Sequence, residues 1–407
     1  MKRVVVTGMS GITSLGDSWE EIEPRLRARE SGISYMSEWD RYEELNTRLG
    51  GPVRSFKMPA HYTRKMTRTM GRVAQMATVS TERALERAGL LGDPIIKDGR
   101  MGVSYGSSTG SPDAVCDFGS LLMQGSMGNI NATTYLRMMT HTAAINIGVF
   151  FGLKGRIIPT SSACTSGSQG IGYAYEAIKF GRQKLMVAGG AEEMCVSEAA
   201  VFDTLYATSR RNDAPTASPA PFDKDRDGLV IGEGACSLIL EEYEHARARG
   251  APMLAEIVGF GSNSDGDHVT HPNSTTMQQA MQLALDDAGV PASEIGYISA
   301  HGTATEQGDI AESQATHRVF GNRMSISSMK GFLGHTLGAC GAVESWFAIE
   351  MMNRGWYAPT NNLEHLDDRC GDLDYVMNGG RALETAFIMK NNFAFGGINT
   401  SLVFKRL

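Results

Sequence analysis

The sequence predicts an α/β protein with mainly parallel strands, arranged as two halves. Three observations carry this. Short apolar runs alternate with amphipathic helical stretches along the whole chain, the pattern that builds sheets with helices on their faces. Helical stretches close on glycine, as at Gly89, Gly181, Gly250 and Gly289, where a left-handed residue ends a helix. At 407 residues the chain is long for one core, so two domains or two halves are expected. The division is placed between residues 250 and 251, giving halves 1–250 and 251–407.

Taken in order, RVVV at 3–6 opens a strand, and TGMSGITSLGD follows as a glycine-rich turn into the helix WEEIEPRLRAR. Gly8, Gly11 and Gly16 do not spell a dinucleotide fingerprint, and no P-loop is present. Residues 60–72 hold Arg64, Lys65, Arg68 and Arg72 with no acid among them. Arg64 and Arg68 are spaced to share a helix face. Such a patch suits an acidic partner; a solvated helix face is the other reading. An amphipathic helix spans 73–89, and MGVSYG is a strand before a small-residue loop.

In GRIIPTSSACTSG, Ile157 and Ile158 mark a strand. Ile171, Tyr175 and Ile178 mark the helix that follows. Cys164 falls on the turn between them, with Ser161 and Ser162 as candidate caps. LMV at 185–187 is the next strand. A Pro-, Asp- and Ser-rich loop runs over 207–228, and a strand and a charged helix lead to Gly250. The second half repeats the alternation. It runs through the strand LAEIVGFG, a helix with Met277, Met281, Ala284 and Leu285 inward, the strand IGYISA, the loop HGTATEQGD and the short strand MSISSMK. The loop GFLGHTLGACG, the helix AVESWFAIEMMNRG and two strands around the glycine turn of NNFAFGGIN complete it.

Hydrophobic residues at 42% and charged residues at 20% fit a soluble globular protein, and a net charge of −7 argues against a general nucleic-acid binder. The six cysteines form no CxxC pair, which fits a reducing compartment better than a disulfide framework or a zinc site. The apolar run after Lys2-Arg3 is too short for a signal peptide. No apolar stretch is long enough for a membrane span. A cytoplasmic protein is expected.

Three strand-end loops carry reactive groups, where α/β folds gather ligands. Cys164 stands near a helix start, whose unpaired N–H groups and partial positive charge favour a thiolate and suit an oxyanion. A small buried hydrophobe is the alternative at this point. His301 follows YISA directly, and Lys330 and His335 lie in SSMKGFLGHTLGACG. Glu312 and Glu344 sit a few residues beyond each histidine. Glu344 shares a helix face with Phe347, Ala348 and Met351, so as a buried acid it needs a partner such as Lys330 or a histidine N–H. No spacing suggests a metal site.

SSACTSGSQGIG, PFDKDRDGLVIGEGA, HGTATEQGD, GFLGHTLGACG and NNFAFGGIN, in this order, resemble the β-ketoacyl-acyl carrier protein synthases of types I and II over essentially the whole chain. The resemblance implies a thiolase-like fold, with two similar halves in five layers, α-β-α-β-α. It implies an acyltransferase that condenses an acyl thioester on Cys164 with malonyl-acyl carrier protein. His301 and His335 match the pair that promotes decarboxylation, Lys330 the lysine beside them, Glu312 the acid that orders the site, and Glu344 a buried structural acid. Thr303 and Thr305 match threonines that hold the pantetheine arm. Phe395 matches the gating phenylalanine whose N–H joins that of Cys164 in an oxyanion hole, and Phe393 lies beside it. Arg64, Lys65 and Arg68 fall where the family docks its carrier. No permanently bound cofactor is implied; phosphopantetheine arrives on the carrier.

The chain departs from the family pattern at Ala394 and Ile398, where a glycine and a threonine are usual. Ala394 lacks glycine's freedom at positive φ, so a stiffer gating loop is expected. Thr109 falls where the family varies a residue lining the acyl pocket. A homodimer is expected. The alternative is one subunit, active or regulatory, of a ketosynthase/chain-length-factor heterodimer, in fatty acid, polyene or polyketide synthesis.

Overall fold

The computed structural model describes residues 1–407. One sheet of 11 strands runs through the molecule. Its strands, in chain order, are β1 (Val4–Thr13), β2 (Met101–Gly106), β3 (Ile157–Thr160), β4 (Leu185–Glu192), β5 (Gly234–Glu242) and β6 (Ala255–Ser264). They continue as β7 (Ile295–Ser299), β8 (Ser325–Ser327), β9 (Asp374–Tyr375), β10 (Phe387–Ala394) and β11 (Ile398–Lys405). The spatial order is β9-β8-β7-β10-β11-β6-β1-β5-β4-β2-β3.

That order contains a repeat. Within the first half the strands lie third-second-fourth-fifth-first, and the second half, leaving aside the short β9, repeats it. In both, the second strand is parallel to the third and fourth, and the fifth is antiparallel to its two neighbours. The sheet is therefore mixed rather than mainly parallel. The halves join where Val4–Val6 pair with Ala255–Ile257.

The first strand is longer than expected. The glycine-rich residues after Val6 do not turn; they continue β1 to Thr13 through an irregularity between Val6 and Gly8. Gly8 is needed there because a Cβ would lie 2.3 Å from the Ala84 carbonyl oxygen.

Helices fill three layers. Arg72–Arg87 and Thr142–Phe151 cover the outer face of the first half over a core containing Val73, Met76, Val103 and Ile147. Ser274–Ala288 and Glu306–Phe320 cover the outer face of the second half, around Met277, Met281, Ile298 and Met389. Between the halves lie Ser166–Lys179 and Cys340–Arg354, within a core of 39 buried residues. Both inner helices are buried nearly all round, Trp346, Phe347 and Ile349 included, as a central layer requires.

The two inner helices meet backbone to backbone near their N-termini. A Cβ on Gly341 would lie 2.4 Å from the Ser168 nitrogen, and one on Gly167 would lie 2.9 Å from the Ala342 nitrogen. Only glycine permits this approach, and it brings the two strand-to-helix turns together. Gly341→Ala is expected to cost about 2 kcal/mol through overpacking, read as a lower midpoint in chemical denaturation. An unchanged midpoint would show that the helices are not held at this distance.

Candidate active site

The loops after β3, β7, β8 and β10 converge on one cavity of about 430 Å³, lined by Cys164, His301, Thr303, Thr305, Glu312, His335, Phe393 and Phe395 among others. Cys164 precedes the helix Ser166–Lys179, with Thr165 at the cap position. The serine hydroxyls do not cap it. The Ser162 carbonyl accepts from the Thr165 N–H at 3.1 Å and its hydroxyl at 2.7 Å, and the Ser162 N–H donates to Ser166 Oγ at 2.9 Å. Hydrogen bonds among residues 162–166 close the turn instead. Ala163, Ala304 and Leu337 hold φ of 50°, 66° and 46°. Each loop bearing Cys164, His301 or His335 thus contains a non-glycine residue in the left-handed region, where strain gathers at functional sites.

His335 Nε2 lies 3.0 Å from Cys164 Sγ. The Leu337 N–H donates to His335 Nδ1 at 3.2 Å. A ring nitrogen that accepts from an amide carries no proton in neutral imidazole, so the proton is on Nε2 and faces the sulfur. At His301, Nδ1 faces two donors, Lys330 Nζ at 3.3 Å and Asn392 Nδ2 at 3.2 Å. Its Nε2–H is left for the cavity. The two rings stand edge to face with centroids 5.1 Å apart, and one ligand-type atom from each of Cys164, His301 and His335 falls within 4.8 Å of the others. Burial first, then Lys330, holds both imidazoles well below their usual value, so both are neutral donors at pH 7.

Behind the histidines is a buried ion triad. Lys330 Nζ contacts Glu344 Oε1 at 2.5 Å, and Lys390 Nζ contacts Oε2 at 2.8 Å. Burial pushes the Glu344 carboxyl up, but the two ammonium groups outweigh it and hold the group ionised. Lys330 also donates to the His301 carbonyl at 2.6 Å. Glu312 accepts from the His301 and Gly302 N–H groups, both at 2.7 Å, and burial pushes it up to about 7. Thr303 and Thr305 pair through their hydroxyls at 2.8 Å.

Several expectations need correcting. The Cys164 thiol is not ionised in this enclosed state. Burial pushes it up to about 12, against the pull of Lys330 and of the Phe395 and Cys164 N–H groups. Desolvation outweighs the helix start because the sulfur is walled in. Glu344 is the buried acid expected, with Lys330 as its partner, and as a candidate substrate contact it is corrected, since the triad takes up its oxygens and it does not line the cavity. Lys330 likewise acts through His301 and does not line the cavity. Thr109 is outside the cavity too; its hydroxyl donates to the buried Glu198 at 3.2 Å. Ala394 does not need a glycine's conformation. It ends β10 opposite Ile398, with no positive φ, and the turn takes its left-handed residues from Gly396 (φ 87°) and Gly397 (φ 70°). Arg64, Lys65 and Arg68 are exposed on the outer surface at a helix that runs only from Arg64 to Thr67. Arg72 leaves that patch to pair with Glu233 at 2.6 Å.

Sequence reasoning missed Lys390, Asn392 and Asp309. A lysine inside the apolar strand FIMKNNFA was the available signal for Lys390 and its neighbour Asn392. Asp309, fully buried, accepts from the Thr303 N–H at 2.9 Å and the Ala304 N–H at 3.1 Å. It shapes the threonine loop.

Residues 1–246 match the family described as "Beta-ketoacyl synthase, N-terminal domain", and residues 254–364 match its C-terminal domain. The chain belongs to the β-ketoacyl synthase family. It is 37% identical over 414 residues to 3-oxoacyl-[acyl-carrier-protein] synthase 2 of Vibrio cholerae, covering 100% of this chain and 99% of that one. The crystal structure of a β-ketoacyl synthase from Burkholderia phymatum superposes with TM-score 0.99 at 58% identity, covering all of both chains. The ishigamide ketosynthase/chain length factor gives TM-score 0.91 at 30% identity, covering 100% of this chain and 99% of that one. A type II polyketide ketosynthase in complex with its acyl-carrier protein gives 0.88 at 30%, covering all of both chains. The fold is thus thiolase-like, and the chain is a 3-oxoacyl-[acyl-carrier-protein] synthase, an acyltransferase of the condensing type. No helix is long and apolar enough to cross a membrane.

With the Cys164 thiol raised, its thiolate fraction should climb with pH. Alkylation by iodoacetamide is expected to rise about tenfold per pH unit between about pH 7 and 9. A plateau beginning near pH 7 would show a pre-ionised thiolate instead.

Proposed function

We propose that Cys164 holds the acyl group while His301 and His335 generate the attacking enolate from malonyl-acyl carrier protein. The observation that carries this is the pair of neutral Nε2–H donors beside one sulfur. In the first step the Cys164 sulfur attacks the acyl thioester carbonyl. The oxyanion is met by the Cys164 and Phe395 N–H groups, the two that already pull on the sulfur. The carrier's pantetheine sulfur leaves and takes up the proton that Cys164 gives up. Neither imidazole is free to take that proton, since each Nδ1 already faces donors.

In the second step the malonyl thioester oxygen accepts from both Nε2–H groups. The bond to the carboxylate breaks, carbon dioxide leaves, and its electron pair becomes the enolate. Two fixed donors backed by the net positive triad stabilise that charge. The enolate carbon attacks the Cys164 thioester. The tetrahedral oxyanion collapses to the 3-oxoacyl product on the carrier, and the expelled Cys164 thiolate takes up one proton from solvent. Thr303 and Thr305 hydroxyls suit the amides of the pantetheine arm. No resident cofactor is required.

Exposed Arg64, Lys65 and Arg68, with no acid in their helix's first turn, suit an acidic carrier. Six free thiols fit a cytoplasmic enzyme. β3 is an edge strand at the end of the sheet, and Leu122, Met123, Tyr135, Val149 and Ile157 are exposed apolar residues on it and on the helices leading up to it. Unpaired edges and apolar patches of this kind are covered by partners, here a second copy. A heterodimer with a homologous subunit is the second reading, favoured by the ishigamide relative.

Cys164→Ala is expected to abolish the acyl adduct seen by intact-protein mass spectrometry after mixing with acyl-carrier protein, and to lower condensation by more than about 10³-fold. An adduct persisting in the variant would remove Cys164 from its role. In the same loading assay, reversing charge at Arg64 and Arg68 should raise KM by roughly tenfold, and less so at high salt.

The purified chain is expected to sediment as a dimer and to turn over alone. Turnover appearing only when a homologous subunit is added would replace the homodimer by the second reading.

A further inference from the structure

Glu192 ends β4 and is completely buried, yet no step of the proposed reaction uses it. Its partners are five uncharged donors. Oε1 accepts from the Ser107 hydroxyl at 3.1 Å and the Thr109 N–H at 3.3 Å. Oε2 accepts from the Ser108 N–H at 2.9 Å, the Ser108 hydroxyl at 2.5 Å and the Gly338 N–H at 2.8 Å. Three of the five are backbone amides, which can only donate. Burial pushes the Glu192 carboxyl up, and these bonds hold it back. The neighbouring acid, Glu198, is held well above the carboxylate range, by burial first and then by Glu192. The negative charge of the pair therefore resides on Glu192.

Four of these donors belong to the loop after β2, in the first half. The fifth does not. Gly338 stands three residues after His335, in the second half, and its amide follows directly on that of Leu337. The two amides serve different acceptors: the Leu337 N–H donates to His335 Nδ1 at 3.2 Å and the Gly338 N–H to Glu192. Leu337 is the joint between them. Each peptide unit is planar, so the backbone angles of Leu337 set the direction of one amide against the other. Its φ is 46°, a region that a leucine leaves when nothing holds it there. The turn is seated directly on the end of β4. A Cβ on Gly338 would lie 2.6 Å from Glu192 Oε2, and one on Gly190 would lie 2.5 Å from the Gly338 carbonyl oxygen.

We propose that Glu192 is a positioning residue for the condensation, acting through the Gly338 N–H and Leu337 on His335. By holding the Gly338 amide it keeps Leu337 left-handed, the Leu337 N–H on His335 Nδ1, and the ring proton on Nε2. Release of that amide lets Leu337 turn to negative φ. The His335 proton is then free to occupy either ring nitrogen. With the proton on Nδ1, Nε2 becomes an acceptor 3.0 Å from the Cys164 sulfur and no longer a donor to a malonyl thioester. The same acid bears on the thiol. Burial is the largest influence pushing Cys164 up to about 12, and the Glu192 charge adds to it, against Lys330. The other titratable groups at the sulfur are His335 and His301, both neutral, and the Cys340 thiol, which donates to the Cys164 carbonyl. Removing the Glu192 charge therefore has two opposite effects: the sulfur ionises more easily, while the donor pair is weakened. The proposal rests on the condensing-enzyme reading above and deepens it.

The test uses the full-length enzyme carrying Glu192→Gln, a change that keeps the size and one accepting oxygen and removes the charge. Alkylation of Cys164 by iodoacetamide is followed between about pH 6 and 9. Condensation is followed with saturating acyl- and malonyl-carrier protein, and acyl loading by intact-protein mass spectrometry. The alkylation profile should move to lower pH, with a rate at about pH 7.5 raised about fivefold. Condensation kcat should fall by about thirtyfold, with KM little changed. Gly338→Ala displaces the same contact without removing the charge, so it should lower kcat with loading retained, and it carries the test if Glu192→Gln does not fold. Parallel losses of alkylation and turnover would make Glu192 merely structural and overturn the proposal. So would an unshifted alkylation profile in Glu192→Gln, or unchanged turnover in both variants. Failure of the wild type to load any acyl group would sink the condensing-enzyme reading itself, whereas alkylation needs no carrier and would still report whether the contact holds.

Discussion

The site depends on one buried interaction, the triad of Lys330, Glu344 and Lys390. All three are buried to 2% exposure or less. Taking charges out of water is costly, and it is sustained here only because one carboxylate bridges two ammonium groups. Removing one partner from such a set costs about 3–5 kcal/mol, because the remaining charges stay buried and uncompensated. The triad carries a net positive charge. That charge disfavours protonated histidine and favours an anion in the cavity. A single arrangement therefore keeps His301 and His335 neutral and readies the space before them for an enolate. It also holds His301 in place through both its ring nitrogen and its carbonyl.

The triad acts on the nucleophile's site only because the two halves are fused face to face. Lys330 comes from the loop after β8, Glu344 from an inner helix and Lys390 from β10, all in the second half. Cys164 comes from the first. The approach at Gly167 and Gly341 closes the gap between them, since it seats the turn bearing Cys164 against the helix bearing Glu344. Cys340, at the start of that helix, donates to the Cys164 carbonyl at 3.2 Å, a direct bond from one half to the other. Packing, not local preference, sets the distance between nucleophile and donors.

This division explains what the sequence could and could not disclose. Cys164, His301, Lys330 and His335 stand out because each sits in a small-residue loop at a strand end, and such loops are visible in one dimension. Glu344 follows from helical spacing, whereas the role of Glu312 came from the resemblance. Lys390 and Asn392 were hidden because their strand reads as apolar, and a strand's ends, not its middle, attract functional attention. The continuation of β1 through its glycines was misread as a turn because glycine also serves close approach, and Ala84 lies distant in sequence. The state of the Cys164 thiol was the least legible. A helix start argues for ionisation and burial against it, and only the assembled walls show that burial wins.

The shared contact of His335 gives the proposed reaction an order. In the empty enzyme its Nε2–H is committed to the Cys164 sulfur. A malonyl thioester arriving first would meet only one free donor, His301. Acylation changes this, because a thioester sulfur is a much weaker acceptor than a thiol or thiolate sulfur held at the same distance. The His335 N–H is then released toward the cavity, and both donors face the second substrate. On the proposed reading, the second substrate meets its full pair of donors only after the first has been loaded. The Nδ1 contact from Leu337 fixes the tautomer on which this order depends. A residue strained at φ 46° is retained there, two positions after the histidine it holds.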